Sequence, residues 1–177
     1  MIILYEHIKA VLYAYPLLKT VEKDYKEHIL NKAVLSYRTQ KPTEELMEYL
    51  AGEILEKNEL LFVKECVEKM LDRLNATERM LVEIKYFKRS KKIKPASVSK
   101  NVERRRTGLA AWGKSTYFRK QVALIRRASG ILASQGLTQD FFQTKLLHIE
   151  LFKMLYDFVK AGKDAKLSQC EREWLGE

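Results

Sequence analysis

Apolar residues recur three and four positions apart along most of this chain, and only seven Gly and three Pro among 177 residues interrupt them. That spacing lines one face of an α-helix, because residues one turn apart project in the same direction. Leu, Lys, Glu and Ala dominate, and all four are strong helix formers. The pattern predicts an all-α protein, a helical bundle with enough apolar residues for a core.

The elements can be placed from their breaks and caps. Residues 2–15 read as a short helix with Leu4, Ile8, Val11, Leu12 and Tyr15 inward. Pro16, which lacks an N–H and crowds the preceding turn, is expected to break or kink it. A second helix then runs to about Ser36 with Leu18, Val21, Tyr25, Ile29 and Leu30 inward. After a polar link ending at Pro42, Thr43 caps a helix that carries Glu44 and Glu45 in its first turn, where acids suit the positive end of the dipole. Its apolar positions are Leu46, Leu50, Ile54 and Leu55, and Lys57-Asn58 is the expected stop. Residues 59–74 repeat the pattern on Val63, Val67, Met70 and Leu74, with Cys66 beside the stripe as core filler. The pair forms either an antiparallel hairpin or a surface for another protein. Asn75-Ala-Thr-Glu78 has the form of a capping box, opening a helix with Met80, Ile84 and Phe87 on one face.

Charge is distributed very unevenly. Between Lys85 and Arg127 there are fifteen Lys or Arg and a single acid, Glu103, while the whole chain is only +10. The remainder is therefore mildly acidic. Such asymmetry marks a surface for polyanions, since Lys and Arg on phosphates release condensed counterions. The plainer alternative is an exposed charged face on a helical bundle. Within the segment, Ser90 to Lys100 reads as a loop, Asn101 as the cap of a short helix from Val102 to Trp112, and Gly113-Lys114 as a turn. Ser115 is the expected cap of the next helix, with Phe118, Val122, Ile125 and Leu132 inward. Thr116, Lys120, Ala123 and Arg127 lie opposite, with Arg119, Gln121 and Arg126 at the edges. Gly136 ends it. Thr138 caps a last long helix running to Gly162, in which His148 is read as a packing residue. A polar tail follows, docked through Trp174 and Leu175.

A helix, a turn and a cationic amphipathic helix make a helix-turn-helix, whose second helix enters the major groove with its N-terminal turns at the base edges. Lys114, Ser115, Thr116, Arg119 and Lys120 are the candidate base contacts. Lys88, Arg89, Lys91, Lys92, Lys94, Arg104, Arg105, Arg106 and Arg127 are the candidate phosphate contacts, positioning without specifying. The chain divides on this basis into a helical region at 1–74, which allows for oligomerisation or a polymerase contact, a DNA-binding module at 75–136, and a supporting helix and tail at 137–177.

Two stretches carry a family resemblance. Leu74-Asn-Ala-Thr-Glu-Arg-Met-Leu-Val-Glu-Ile-Lys-Tyr-Phe87 resembles the first helix of promoter-reading region four in bacterial sigma factors. Trp112-Gly-Lys-Ser-Thr-Tyr-Phe-Arg-Lys-Gln121 resembles the recognition-helix end of phage transcriptional regulators of the ArpU-like type. Sigma factors join the two helices by a short link, whereas a longer connector intervenes here. The resemblance implies a sigma-like helix-turn-helix, sequence-specific binding of double-stranded DNA, control of phage or prophage transcription, and contact with RNA polymerase.

Other classes fit less well. The sequence offers no glycine-rich phosphate loop, no metal-ligand spacing and no nucleophile beside a general base, so neither an enzyme nor a cofactor or metal is expected. His7 and His28 read as ordinary, partly exposed histidines. Cys66 and Cys170 stand apart, which suits a reduced, cytoplasmic protein. The N-terminus, interrupted by Glu6, His7 and Lys9, is neither a secretory signal nor a membrane span, and no membrane partner is expected. The rival function is a DNA-packaging recognition protein, like a terminase small subunit. It would join the same DNA-binding motif to an oligomerising part, and a homo-oligomer is allowed for in either case.

Overall fold

The computed structural model describes residues 5–39, 43–88, 112–166 and 171–172. Among them the protein is all-α, with no strand. Helix α1 (Glu6–Thr39) and helix α2 (Thr43–Arg73) form a long antiparallel hairpin. Helix α3 (Ala76–Val82) passes into a π-helical turn at Glu83–Phe87. Helix α4 (Lys114–Ser134), a short α5 (Gln139–Phe141) with a π turn at Phe142–Leu146, and α6 (Glu150–Lys160) complete the body. The N-terminal part of α1 is the central element, packed against α2, α4, α6 and the π turn after α3.

Pro16 does not break α1, which runs through it. A proline inside a helix costs about 3 kcal/mol. Val11, Leu12 and Tyr13 before it and Leu18 after it are all buried, and each large apolar side chain contributes roughly 1.5–3 kcal/mol on burial. Packing on both flanks outweighs the local penalty. Lys57-Asn58 likewise fails to stop α2: the propensity cost of such residues is below about 1 kcal/mol, and Leu60 and Val63 beyond them are buried. The two predicted helix pairs are thus two long helices. The hairpin expected between residues 43–58 and 59–74 is therefore not formed, since both lie in the one helix α2, and the antiparallel pair is α1 with α2 instead.

Several local signals hold. The Asn75 side chain accepts from the Glu78 amide at 2.8 Å, and the Asn75 amide donates back to Glu78 Oε2 at 3.0 Å. Val63, Val67, Met70 and Leu74 are buried as their spacing predicts, and so is Cys66. Gly136, at φ +94°, closes α4: its amide donates to Ala133 and that of Leu137 to Leu132. This is the paired bonding that a left-handed residue after a helix permits. Thr138 Oγ1 accepts from the Phe141 amide at 3.2 Å.

Other expectations are corrected. The wide π turn carries one residue more per turn. It brings Leu81, Val82, Ile84, Lys85 and Tyr86 inward and leaves Met80 and Phe87 half-buried. Leu30, Ile54 and Leu55, expected inward, are exposed. The last predicted helix is interrupted at Leu147–Ile149, where extended backbone turns Ile149 into the core. His148 is consequently exposed, 3.4 Å from Glu56, and is not a packing residue. Trp174 and Leu175 lie outside the described residues. Within the described part of the tail, Asp164 is buried and accepts from Lys9 Nζ at 2.8 Å, and Glu171 is buried and accepts from the Tyr117 hydroxyl. One core cluster, which includes the Tyr13–Tyr86 edge contact at 4.8 Å, draws on all three predicted regions.

Candidate nucleic-acid interface

Helix α4 carries Lys114, Arg119, Lys120, Arg126 and Arg127 and no acid anywhere from Lys114 to Ser134. Its N-cap is Gly113, in extended backbone, which has no side chain to cap the first turn. Ser115, the expected cap, is therefore inside the first turn and exposed. The first turn thus carries the positive end of the helix dipole, which suits phosphate.

The buried face consists of Tyr117, Gln121, Leu124, Ile125, Ala128 and Leu132. The apolar spacing centres that face on Phe118, Val122, Ile125 and Leu132, but Val122 is 56% exposed and Phe118 only half-buried. The helix is rotated by nearly one residue. Tyr117 explains the choice: its hydroxyl donates to the buried Glu171 carboxylate at 2.8 Å, so a large aromatic enters the core with its polar tip satisfied. Burial, followed by the charge of Glu171, pushes the Tyr117 hydroxyl well above its usual range, so it stays a donor.

This rotation places Ser115, Arg119, Val122 and Arg126 in one exposed row, at the i, i+4, i+7, i+11 spacing of a helix face. Thr116 (half-buried), Lys120, Ala123 and Arg127 form the adjacent row. Of the five candidate base contacts, Lys114, Ser115, Arg119 and Lys120 are exposed. Lys120 Nζ sits 5.7 Å from the centre of the Trp112 ring, which braces it through a cation–π contact.

The phosphate candidates divide. Lys88 is exposed. Arg89, Lys91, Lys92, Lys94, Arg104, Arg105 and Arg106 lie outside the described residues, as does the short helix expected from Val102 up to residue 111; of the expected Gly113-Lys114 turn, Gly113 is extended backbone and Lys114 already opens α4. Arg127 is engaged within the molecule: its Nη1 lies 2.9 and 3.0 Å from the two Glu78 carboxylate oxygens, and Nη2 donates to the Arg73 carbonyl at 3.1 Å. Its fork ties α4 to the start of α3, so this candidate phosphate contact is held within the molecule. Lys85, counted in the basic segment, is 7% exposed and turned inward.

Helical spacing and charge do not single out Trp112 or Glu171. Trp112 is adjacent to the turn and carries a detectable signal as an aromatic among cations. Glu171 carries none, since it is one of many scattered acids. Among the described residues no three His, Cys, Asp or Glu side chains are grouped as a metal would require. No helix there is long and apolar enough to cross a membrane. No family model, curated protein or solved structure matches the chain.

Proposed function

We propose that the chain is a sequence-specific double-stranded DNA-binding protein that regulates transcription, with α4 as its recognition helix. The observation that carries this reading is the acid-free outer surface of α4, where Ser115, Arg119 and Arg126 form one exposed row beside Lys120. A duplex groove supplies phosphates to the helix start and Lys88, and base edges to Ser115, Thr116, Arg119 and Lys120. The likeness of residues 74–87 and 112–121 to sigma region four and to phage regulators of the ArpU-like type points the same way. It extends the reading to phage or prophage promoters and contact with RNA polymerase.

Selection of bound duplexes from a randomised library, followed by sequencing and anisotropy titration across salt concentrations, tests this directly. A recovered motif, bound more tightly than scrambled duplex and lost with Arg119→Ala, is the expected result. Recovery of no motif, together with duplex binding at low salt that neither Arg119→Ala nor joint replacement of Lys91, Lys92 and Lys94 alters, refutes it.

A further inference from the structure

The rotation of α4 that buries Tyr117, Gln121 and Leu124 also fixes what stands opposite them. At about 100° per residue, Arg119 and Arg126 point almost directly away from the buried face, with Val122 on one side of them and Ala123 on the other. All four are exposed, Val122 by 56%. Among the described residues neither Arg119 nor Arg126 has a hydrogen bond or ion pair within the molecule. Arg127, by contrast, is held by Glu78, and Lys120 lies against Trp112. The middle of the outward face is therefore a short apolar notch between two uncommitted guanidinium groups.

A single exposed valine is ordinary on a protein surface; the place of this one is not. A helix lying in a groove comes nearest the floor along the centre of its outer face, where long side chains hold it off and short ones let it in. Val122 and Ala123 are both short. Arg119 stands about 4.5 Å before Val122 along the helix axis, and Arg126 about 6 Å after it. The two arginines together span about three base-pair steps of roughly 3.4 Å, and Val122 falls between them. Free cations on both sides, on a helix with no acid from Lys114 to Ser134, suit a polyanion on this face rather than the apolar surface of another protein.

The group that meets Val122 follows from the chemistry of the groove. Major-groove base edges present donors and acceptors, with one apolar exception, the C5-methyl group of thymine. A valine pressed on a donor or acceptor strips it of water and offers it no partner, which costs free energy. Against a thymine methyl it loses nothing of the kind and gains apolar burial. A double-helical RNA offers neither the methyl group nor an open major groove.

We infer that Val122 is a specificity-determining contact that seats the methyl group of a thymine, within about two base pairs of the pair reached by Arg119. The inference rests on duplex binding through α4. Its probe is the duplex that the full chain selects from a randomised library, remade with each thymine in turn replaced by deoxyuridine, which keeps the pairing and removes only the methyl. Anisotropy titration should find one position where this change weakens the wild type about fourfold, the worth of one buried methyl group. Val122→Ser, an exposed change that should leave the helical circular dichroism as it was, should bind the thymine and deoxyuridine duplexes alike. Arg119→Ala should weaken both and keep the fourfold ratio. A selected duplex in which no thymine responds, a response that Val122→Ser leaves intact, or one that Arg119→Ala abolishes as completely, overturns the assignment of Val122 while duplex binding stands. Selection of no duplex at all overturns both.

Discussion

Arg127 Nη1 lies 2.9 Å from Glu78 Oε1 and 3.0 Å from Oε2, while the same carboxylate closes the capping box at Asn75. One acid thus caps α3 and holds α4 to it. Glu78→Ala removes both interactions. A cap is worth roughly 1 kcal/mol and a partly exposed ion pair about 0.2–1 kcal/mol, so a loss near 1–2 kcal/mol is expected in urea unfolding. A change below about 0.3 kcal/mol would contradict this double role.

The same geometry separates two arginines that look alike in the sequence. Arg119 is exposed, whereas Arg127 is committed to Glu78 and to the Arg73 carbonyl. On a selected duplex, Arg119→Ala should cost ~1–3 kcal/mol if it reaches a base edge, and Arg127→Ala should cost clearly less. Anisotropy titrations at one salt concentration decide it. Equal losses would return Arg127 to the DNA surface. Replacing Lys91, Lys92 and Lys94 together should weaken all duplexes alike and flatten the salt dependence.

Two glycines near the end of α4 should respond in opposite directions to the same substitution. Gly136 sits at φ +94°, and Gly136→Ala forces an L side chain into the left-handed region, for about 1–2 kcal/mol of destabilisation. Gly130 is exposed inside the helix with open space around it. Gly130→Ala should therefore stabilise by about 0.5–1 kcal/mol through helix propensity. Melting temperatures that move together would contradict the assigned backbone geometry.

His7 gives a pH dependence. Partial burial, with the Phe142 ring centre 6.1 Å away, lowers its pKa from the ordinary 6.5. The unfolded chain then binds the proton more readily than the folded one. The stability contributed by neutral His7 is complete above pH 6.5, falls as pH drops through 6.5 towards the folded value, and changes no further below it. His7→Phe should flatten this part of the stability profile. An unchanged slope between pH 7.5 and 5 would show that His7 is not its source.

The sequence by itself determined what depends on a few neighbouring residues. The Asn75–Glu78 box, the Gly136 closure and the Thr138 cap are set within one turn of backbone, and the Val63–Leu74 stripe within one helix. These were legible because their bonding partners are close in the chain. Tertiary structure decided the rest. Pro16 lies inside a continuous helix because the core buries residues on both sides of it. Ile149 breaks a predicted helix because turning into that core is worth more than the lost helical bonds. In the candidate interface, helicity and cationic character were readable, but the rotation of α4 was not. It depends on Tyr117 meeting Glu171, a partner far along the chain that no helical spacing could reveal. The same holds for Arg127, whose charge the sequence supplies and whose use Glu78 decides.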